Sequence, residues 1–291
     1  IVLHNPNGTA PGCLMEADGK KVAVLPGPPR EMRPMLQNEL LPRLMQKGQR
    51  LVSHELHFYG IGESELEYKL HDLMAKSKNP TIAPYAGTGE VKLRVTASLP
   101  EGEDAEALLQ PAIKKILAAA GDYCYGIDVP GLQTAVVQAL RKKGLTVASA
   151  ESCTGGLVAA RLTEVPGASA VFGCGIVSYN NTVKAEVLSV DPAIIEQYTA
   201  VSAETAAAMA EAVRKKSGAD IGIGVTGNAG PTTSEGQPVG LVFVAVSSEK
   251  YSHVSRLFID RHDADARNLI RHFAALKALS LILRAAGYYK E

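Results

Sequence analysis

The sequence predicts an α/β protein whose main domain has three layers, with helices on both faces of a mixed β-sheet. From residue 132 onward, apolar runs of strand length alternate with segments of helical spacing, which is typical of a sheet covered by helices. Three strand-like runs late in this region follow one another with no helix between them, so the sheet cannot be wholly parallel. The 291 residues are enough for two or more domains.

The first 48 residues contain few predicted elements. Residues 5–12 have the composition of a turn-rich loop, and residues 21–25 have that of a short strand. Residues 26–32, with three prolines, lead into a helix, because the first helical turn tolerates proline.

Residues 51–127 are predicted to form a small α+β unit of the split βαβ kind, in the order strand, helix, strand, strand, helix, strand. Its strands are expected near residues 51–59, 81–85, 91–98 and 122–125. Its helices are expected near residues 64–75 and 104–120. Residues 126–131, which contain Pro130-Gly131, are predicted to be a linker.

The main domain is predicted to begin with a helix over 132–143 that ends at Gly144, followed by a strand over 146–150. Ser202 is the expected N-cap of a helix over 203–216, which ends at Gly218. The other predicted elements are a helix over 157–162, strands over 170–179, 220–225, 240–246 and 254–259, and a terminal helix over 265–284.

Composition limits the partners. The 30 basic residues balance the 30 acidic ones, so we do not expect a nucleic acid to be the main partner. No apolar run is long enough to cross a bilayer, and no membrane partner is expected. The cysteines Cys13, Cys124, Cys153 and Cys174 are dispersed without metal-ligand spacing. This usage predicts a reducing cytoplasm, with no metal and no other cofactor.

The candidate site lies between the 146–150 strand and the 157–162 helix. Its residues, Glu151-Ser152-Cys153-Thr154-Gly155-Gly156, are small and rich in hydroxyl groups. Backbone N–H groups and a helix N-terminus are expected to meet here, and both favour an anion or a developing oxyanion. The alternative is that Ser152 and Thr154 only cap the helix.

Three side chains suggest a chemistry. Ser152, Tyr179 and Lys184 are the residue types of a serine amidohydrolase that uses lysine as its base. Lys184 could take the Ser152 proton only as a neutral amine, which requires a pKa lowered by burial or by a cation such as Arg161 or Arg267. Tyr179 could hold or relay the proton between the two.

Cys153 is the rival nucleophile, because a helix N-terminus lowers the pKa of a thiol. A cysteine amidase usually relies on a histidine, and no motif ties Cys153 to His253, His262 or His272. A small apolar filler is the commoner role of a cysteine.

A second candidate segment, Thr226-Gly227-Asn228-Ala229-Gly230-Pro231, follows a strand. Ligands gather at the carboxyl ends of strands in α/β sheets, and glycines let a backbone approach a ribose or phosphate. Thr226, Gly227, Asn228 and Gly230 are therefore candidate substrate contacts, although the loop could merely connect strands. Residues 232–237 are polar and are predicted to be a mobile flap. Arg267 is a candidate phosphate ligand, although an arginine on a helix commonly faces solvent.

Several motifs together resemble one family. They are the run from Glu151 to Gly156, Val165-Pro166-Gly167-Ala168-Ser169, and Val225 to Pro231 followed by Pro238-Val239-Gly240. Over about residues 132–286 they resemble the C-terminal domain of the competence/damage-inducible protein CinA. That domain is similar to stand-alone nicotinamide mononucleotide deamidases, which implies hydrolysis of nicotinamide mononucleotide to nicotinate mononucleotide and ammonia in pyridine nucleotide salvage.

The resemblance also implies a site and an assembly. Ser152, Tyr179 and Lys184 match the family's serine, tyrosine and lysine in type and separation. The backbone around Cys153, Thr154, Gly155 and Gly156 would supply the oxyanion donors. A homodimer is expected, because proteins that resemble CinA are typically dimeric.

The earlier residues resemble other parts of the same family. Residues 1–48 are similar to the end of a molybdopterin-binding-like domain, residues 49–127 to a KH-like linker domain, and residues 131–291 to the C-terminal amidohydrolase domain. RNA binding is not expected, because no GxxG loop joins two helices in the KH-like unit.

The chain is expected to be a fragment without ADP-ribose pyrophosphatase activity. In the family that activity is associated with the molybdopterin-binding-like domain, whose acidic and glycine-rich nucleotide motifs have no counterpart here. Incubation with ADP-ribose and a divalent metal should therefore give no AMP. Robust AMP formation would show that the first 48 residues have been misinterpreted.

A function of another class stays open. The C-terminal site could be a nucleotide-binding or regulatory module that no longer turns over a substrate. Release of ammonia from nicotinamide mononucleotide distinguishes the enzyme from such a module.

Overall fold

A computed structural model describes residues 1–44 and 48–288. Contacts within the chain divide it into two units: residues 1–51 with 98–104, and residues 52–97 with 105–291. Sequence analysis placed domain boundaries near residues 48 and 130, and these boundaries stay a prediction.

The first unit contains a small antiparallel sheet and a broken helix. Its elements are β1 (Val2–Leu3), β2 (Gly12–Ala17), β3 (Lys20–Val24), α1 (Pro29–Met35), a π-helical turn (Leu36–Leu40) and α2 (Leu41–Leu44). Among the described residues of this unit, Leu3, Leu14, Met35 and Leu40 form a buried cluster, and Leu25, Leu36 and Leu44 pack against it. Every residue of β3 is exposed. The predicted strand and the proline-led helix start are confirmed, whereas β1 and β2 were not predicted.

The predicted α+β order comes next, and its elements lie in the second unit except for residues 49–51 and 98–100. Its elements are β4 (Gln49–Tyr59), α3 (Glu63–Lys76), β5 (Thr81–Ala86), β6 (Glu90–Pro100), α4 (Ala105–Ala120) and β7 (Cys124–Ile127), and the strand order is β5-β6-β4-β7. Buried and half-exposed residues alternate along β6 because its helix-facing side chains form a core. The predicted last strand over 122–125 was placed too early: a 3₁₀ turn (Gly121–Tyr123) ends the helix, and the strand continues into the predicted linker.

The three-layer domain is confirmed. It contains α5 (Leu132–Lys143), β8 (Val147–Glu151), α6 (Leu157–Thr163), β9 (Phe172–Val177), α7 (Asn181–Glu186), α8 (Pro192–Tyr198), α9 (Ala203–Ser217), β10 (Ile221–Gly227), β11 (Leu241–Ser248), β12 (Ser252–Phe258) and α10 (Ala266–Ala285). Strand order is β12-β11-β10-β8-β9. β8 is parallel to β9 and β10, whereas β11 is antiparallel to β10 and β12.

Helix ends follow the predicted signals. Ser202 caps α9 by accepting a hydrogen bond from the backbone N–H of Thr205 at 3.1 Å, and the left-handed Gly218 ends the same helix. Gly144 ends α5 in the same way. On β10, Gly222 and Gly224 leave no room for a Cβ, so the backbone of α9 lies directly against the strand. This close packing fixes the helical layer beside the carboxyl end of β10.

Candidate active site

A cavity of about 400 Å³ opens where the parallel strands β8, β9 and β10 end. Carboxyl ends of parallel strands meet at one edge of a sheet, which is where α/β proteins commonly bind ligands. Predicted site residues that line the cavity are Ser152, Tyr179, Lys184, Thr226, Gly227, Asn228, Gly230 and Arg267. Thr154, Gly155 and Gly156 are not among its lining residues.

Ser152 and Lys184 are in direct contact. Lys184 Nζ lies 3.4 Å from Ser152 Oγ and donates a hydrogen bond to the carbonyl of Ser178 at 3.0 Å. Both side chains are buried, and Lys184 is only 1% exposed. The backbone N–H of Ser152 donates to the carbonyl of Val225, which ties the serine to β10. The structure therefore brings together two residues that are 32 positions apart.

The short helix α7 holds Lys184 in place. Asn180 caps this helix, since its side chain accepts a hydrogen bond from the backbone N–H of Val183 at 2.8 Å. Sequence analysis did not predict α7. A helix of six residues has too little periodicity to be recognised.

Burial lowers the pKa of Lys184, because the ammonium form loses its hydration. The carboxylate of Glu235 and the thiol of Cys153 act in the opposite direction on this pKa. The suggested help from arginines is not seen. Arg161 donates to His272 Nδ1, and Arg267 donates to the carbonyl of Gly230 and to the hydroxyl of Tyr179.

The N-terminus of α6 does not receive an external anion, contrary to the sequence-based expectation. The carboxylate of Glu151 accepts hydrogen bonds from the backbone N–H groups of Val158 at 3.0 Å and Ala159 at 2.9 Å. The hydroxyl of Ser149 donates to it at 3.2 Å. Glu151 is 1% exposed, so the anion at this helix terminus is the protein's own carboxylate.

Glu151→Gln should lower the free energy of unfolding by about 1–3 kcal/mol, because the amide nitrogen cannot accept from a buried backbone N–H. Thermal unfolding followed by circular dichroism measures the change. Glu164→Gln is the matched control, since Glu164 is exposed at the other end of the same helix. Equal unfolding temperatures for both variants would contradict this role of Glu151.

The turn that carries Ser152 is shaped by its own backbone. Gly156 is the N-cap of α6, so neither Ser152 nor Thr154 caps the helix. The N–H of Gly155 donates to the carbonyl of Ser152 at 3.0 Å, which removes this amide from the proposed oxyanion donors. Gly155 and Gly156 have φ angles of 60° and 93°, which disfavour residues with a side chain. Their glycine identity is explained by the turn rather than by substrate contact.

Arg271 was missed by the sequence analysis. It lies on α10 and donates to the carbonyl of Thr154 at 2.9 Å, which fastens the turn to the terminal helix. The hydroxyl of Thr154 is buried and has no hydrogen-bond partner in the structure. No sequence pattern indicated the hydrogen bond between Arg271 and Thr154, because these residues are 117 positions apart.

Tyr179 lines the cavity but does not stand between Ser152 and Lys184. Its hydroxyl accepts a hydrogen bond from Arg267 at 3.0 Å, and the side chain is 60% exposed. The suggested relay is not needed, since the serine and the lysine are already in contact. The phenol therefore supports the arginine at the rim of the cavity.

The second candidate loop uses most of its polar groups internally. Asn228 donates to the carbonyls of Thr232 at 3.0 Å and Gln237 at 3.1 Å, and it accepts from the N–H of Gly230. The hydroxyl of Thr226 donates to the carbonyl of Ala200 at 2.6 Å.

Gly227, the last residue of β10, has no room for a Cβ, because the backbone of β11 is too close. Strand packing, and not ligand approach, explains this glycine. The loop residues thus build the cavity wall, and their interpretation as substrate contacts is not supported by these hydrogen bonds.

The predicted flap is held down by Glu235, which sequence analysis missed. Its carboxylate accepts from the backbone N–H of Ala200 at 2.7 Å and from the side chain of Asn181 at 3.2 Å. Ser234 and Gln237 are joined through their backbones. An acidic residue within a polar loop is too common to have been identified from sequence.

Cys153 lacks the features of a nucleophile. It is buried, and burial raises the pKa of its thiol to about 12. The three candidate histidines have other partners: His253 contacts Ser255, His262 contacts Asp260, and His272 contacts Arg161 and Thr88. These observations favour Ser152 over Cys153 as the nucleophile.

Across residues 1–44 and 48–288, no group of three or more His, Cys, Asp or Glu side chains is arranged to hold a metal ion. No helix in the same residues is both long and apolar enough to cross a membrane.

Two protein families match parts of the chain. Residues 130–286 match the CinA C-terminal domain, and residues 53–126 match the Damage-inducible protein CinA KH domain. A CinA-like protein of Kosmotoga olearia is 44% identical over 288 residues, which are 98% of this chain and 69% of that protein. A putative competence-damage inducible protein of Acetivibrio thermocellus is 44% identical over 285 residues, 97% of this chain and 68% of that protein.

Solved structures share the fold of about half the chain. The competence/damage inducible protein CihA from Agrobacterium tumefaciens has a TM-score of 0.50 and 34% identity, covering 54% of this chain and 96% of that one. A CinA superfamily protein from Klebsiella pneumoniae has a TM-score of 0.51 and 28% identity, covering 54% and 97%. Nearly the whole of each of these two chains is thus matched by about half of this one.

Proposed function

The chain belongs to the CinA family, and we propose that it hydrolyses the amide of nicotinamide mononucleotide to nicotinate mononucleotide and ammonia. The observation that carries the proposal is the buried contact between Ser152 Oγ and Lys184 Nζ. A hydroxyl nucleophile beside an amine whose pKa is lowered by burial is the arrangement that a serine–lysine amidohydrolase needs. The substrate itself is proposed from the resemblance to nicotinamide mononucleotide deamidases.

In the first half-reaction, Ser152 Oγ attacks the carboxamide carbon while the neutral amine of Lys184 takes the hydroxyl proton. The resulting ammonium gives that proton to the departing nitrogen, and the C–N bond breaks to release ammonia. Ser152 is then joined to the nicotinoyl group as an ester. The 3.4 Å separation in the free enzyme is compatible with this transfer, because catalytic hydrogen bonds commonly shorten when substrate binds.

In the second half-reaction, water attacks the ester carbon and Lys184 takes one of its protons. The bond to Ser152 Oγ breaks, the lysine returns the proton to the serine, and nicotinate mononucleotide leaves. The carbonyl of Ser178 orients the amine throughout, since it accepts one of the amine's hydrogen bonds.

Arg267 is the proposed ligand for the substrate phosphate. Its guanidinium lies at the rim of the cavity and is positioned by Tyr179 and by the carbonyl of Gly230. A guanidinium can bind phosphate through two parallel hydrogen bonds. The N-terminus of α6 is not available to this phosphate, because the carboxylate of Glu151 already accepts hydrogen bonds from its N–H groups.

The test is to incubate the chain with nicotinamide mononucleotide and to measure ammonia and nicotinate mononucleotide together. The proposal expects equal amounts of both products. Binding of the nucleotide with no product formation would favour the non-catalytic module instead.

A further inference from the structure

The ionisable groups that line the cavity include one carboxylate among the described residues. They are Cys153, Tyr179, Lys184, Glu235 and Arg267. Burial favours the neutral forms of the cysteine and the lysine. Arg267 keeps its positive charge, and Glu235 supplies the carboxylate. A carboxylate weakens the binding of a purely anionic nucleotide, so its presence calls for an explanation.

Glu235 lies on the lysine side of the cavity. Its carboxylate is bonded to Asn181, one helical turn before Lys184 on α7, and to the backbone of Ala200. Its φ angle is 51°, a left-handed conformation that is uncommon for residues with a Cβ. Arg267 is held elsewhere on the rim, by Tyr179 and Gly230. The positive and negative charges are thus attached to different parts of the wall.

The same carboxylate also fastens the flap, and its two oxygens serve different donors. Oε1 accepts from the side-chain amide of Asn181, and Oε2 accepts from the backbone N–H of Ala200. Glutamine has one acceptor oxygen and could serve only one of these donors. The roles of the charge and of the fastening are therefore separated by comparing two substrates, because loss of the fastening affects both substrates alike.

The proposed substrate carries both charges that the cavity complements. Its ring nitrogen is cationic and is separated from the carboxamide-bearing carbon by one ring carbon, while the phosphate is at the other end. When the carboxamide is at Ser152, the ring must lie near Lys184 and hence near Glu235. Resting on the proposed function, we infer that Glu235 is a specificity-determining residue that selects substrates whose ring carries a positive charge, while Arg267 takes the phosphate.

The experiment compares nicotinamide mononucleotide with its reduced form, whose dihydropyridine ring is neutral. Ammonia release gives kcat/KM for both substrates with wild type, Glu235→Gln and the control Glu186→Gln. Glu186 is an exposed carboxylate on the same helix as Lys184 and is not among the residues lining the cavity. The ratio of the two kcat/KM values is the readout. The difference in reactivity between the two rings is the same in every enzyme variant. A change at Lys184 affects both substrates alike. Neither effect therefore changes how the ratio differs between variants.

Glu235→Gln should lower the ratio of oxidised to reduced substrate by about fivefold, the effect of losing one partly exposed ion pair. Glu186→Gln should leave the ratio unchanged. An equal loss for both substrates in Glu235→Gln would show that Glu235 is only a latch and would overturn the inference. Failure of the wild type to release ammonia from nicotinamide mononucleotide would instead refute the proposed function.

Discussion

Ser152→Ala is expected to abolish amide hydrolysis, with kcat lower by about 10⁴- to 10⁶-fold, as when the nucleophile of a hydrolase is removed. The physical reason is that Ser152 Oγ is the hydroxyl in contact with Lys184 Nζ. Ammonia release measures the loss, and circular dichroism confirms that the variant folds. The change removes one buried oxygen atom and leaves the Cβ as a methyl group, so it should disturb the packing little.

Cys153→Ala is the matched control for this prediction, because it removes the neighbouring rival nucleophile. Its thiol has a pKa raised to about 12 by burial, so little of it is thiolate near neutral pH. Most of the activity should remain. An active Ser152→Ala protein, or a folded Cys153→Ala protein without activity, would overturn the assignment of the nucleophile.

Lys184→Arg should reduce kcat by about 10²- to 10⁴-fold, the usual contribution of a general base. Arginine keeps the positive charge but cannot become neutral to accept the proton of Ser152. Because an arginine could be too large for this buried position, Lys184→Met is the second variant. Methionine keeps the length without a charge and should lose activity to a similar extent. Near-normal turnover in a folded Lys184→Arg protein would mean that the lysine only neutralises charge.

The dependence of kcat/KM on pH tests the same role in the unaltered protein. Burial disfavours the ammonium, which lowers the pKa of Lys184 below its ordinary value of 10.5. The base must be neutral, so kcat/KM should rise with pH and level off above the lowered pKa. A rising limb at or above the pKa of free lysine would show that burial does not activate this amine.

Much of the fold could be predicted from local signals. Apolar runs and glycine stops placed α5 and β8, and the hydroxyl of Ser202 marked the start of α9 because a side-chain oxygen there satisfies a free N–H. The elements that were missed are short. α7 and α8 have six and seven residues, so neither presents enough turns for a hydrophobic face to repeat.

The residues of the site were harder to assign. Ser152 and Lys184 were identified through the family resemblance, since nothing local shows that positions 32 apart will meet. Glu151 was read only as the first residue of a motif, because burial of a carboxylate at a helix N-terminus depends on how the strand and helix pack. The hydrogen bond that Arg267 donates to Tyr179 could not be predicted from the sequence either, because the two residues are 88 positions apart.

The measurement that tests the central claim most directly is mass spectrometry of the protein after acid quenching during turnover of nicotinamide mononucleotide. The proposed ester on Ser152 predicts a nicotinoyl ribosyl phosphate adduct on the peptide that spans residues 151–156. The adduct should form in wild type and in Cys153→Ala and should be absent from Ser152→Ala. An adduct that persists in Ser152→Ala and disappears in Cys153→Ala would contradict the serine–lysine mechanism.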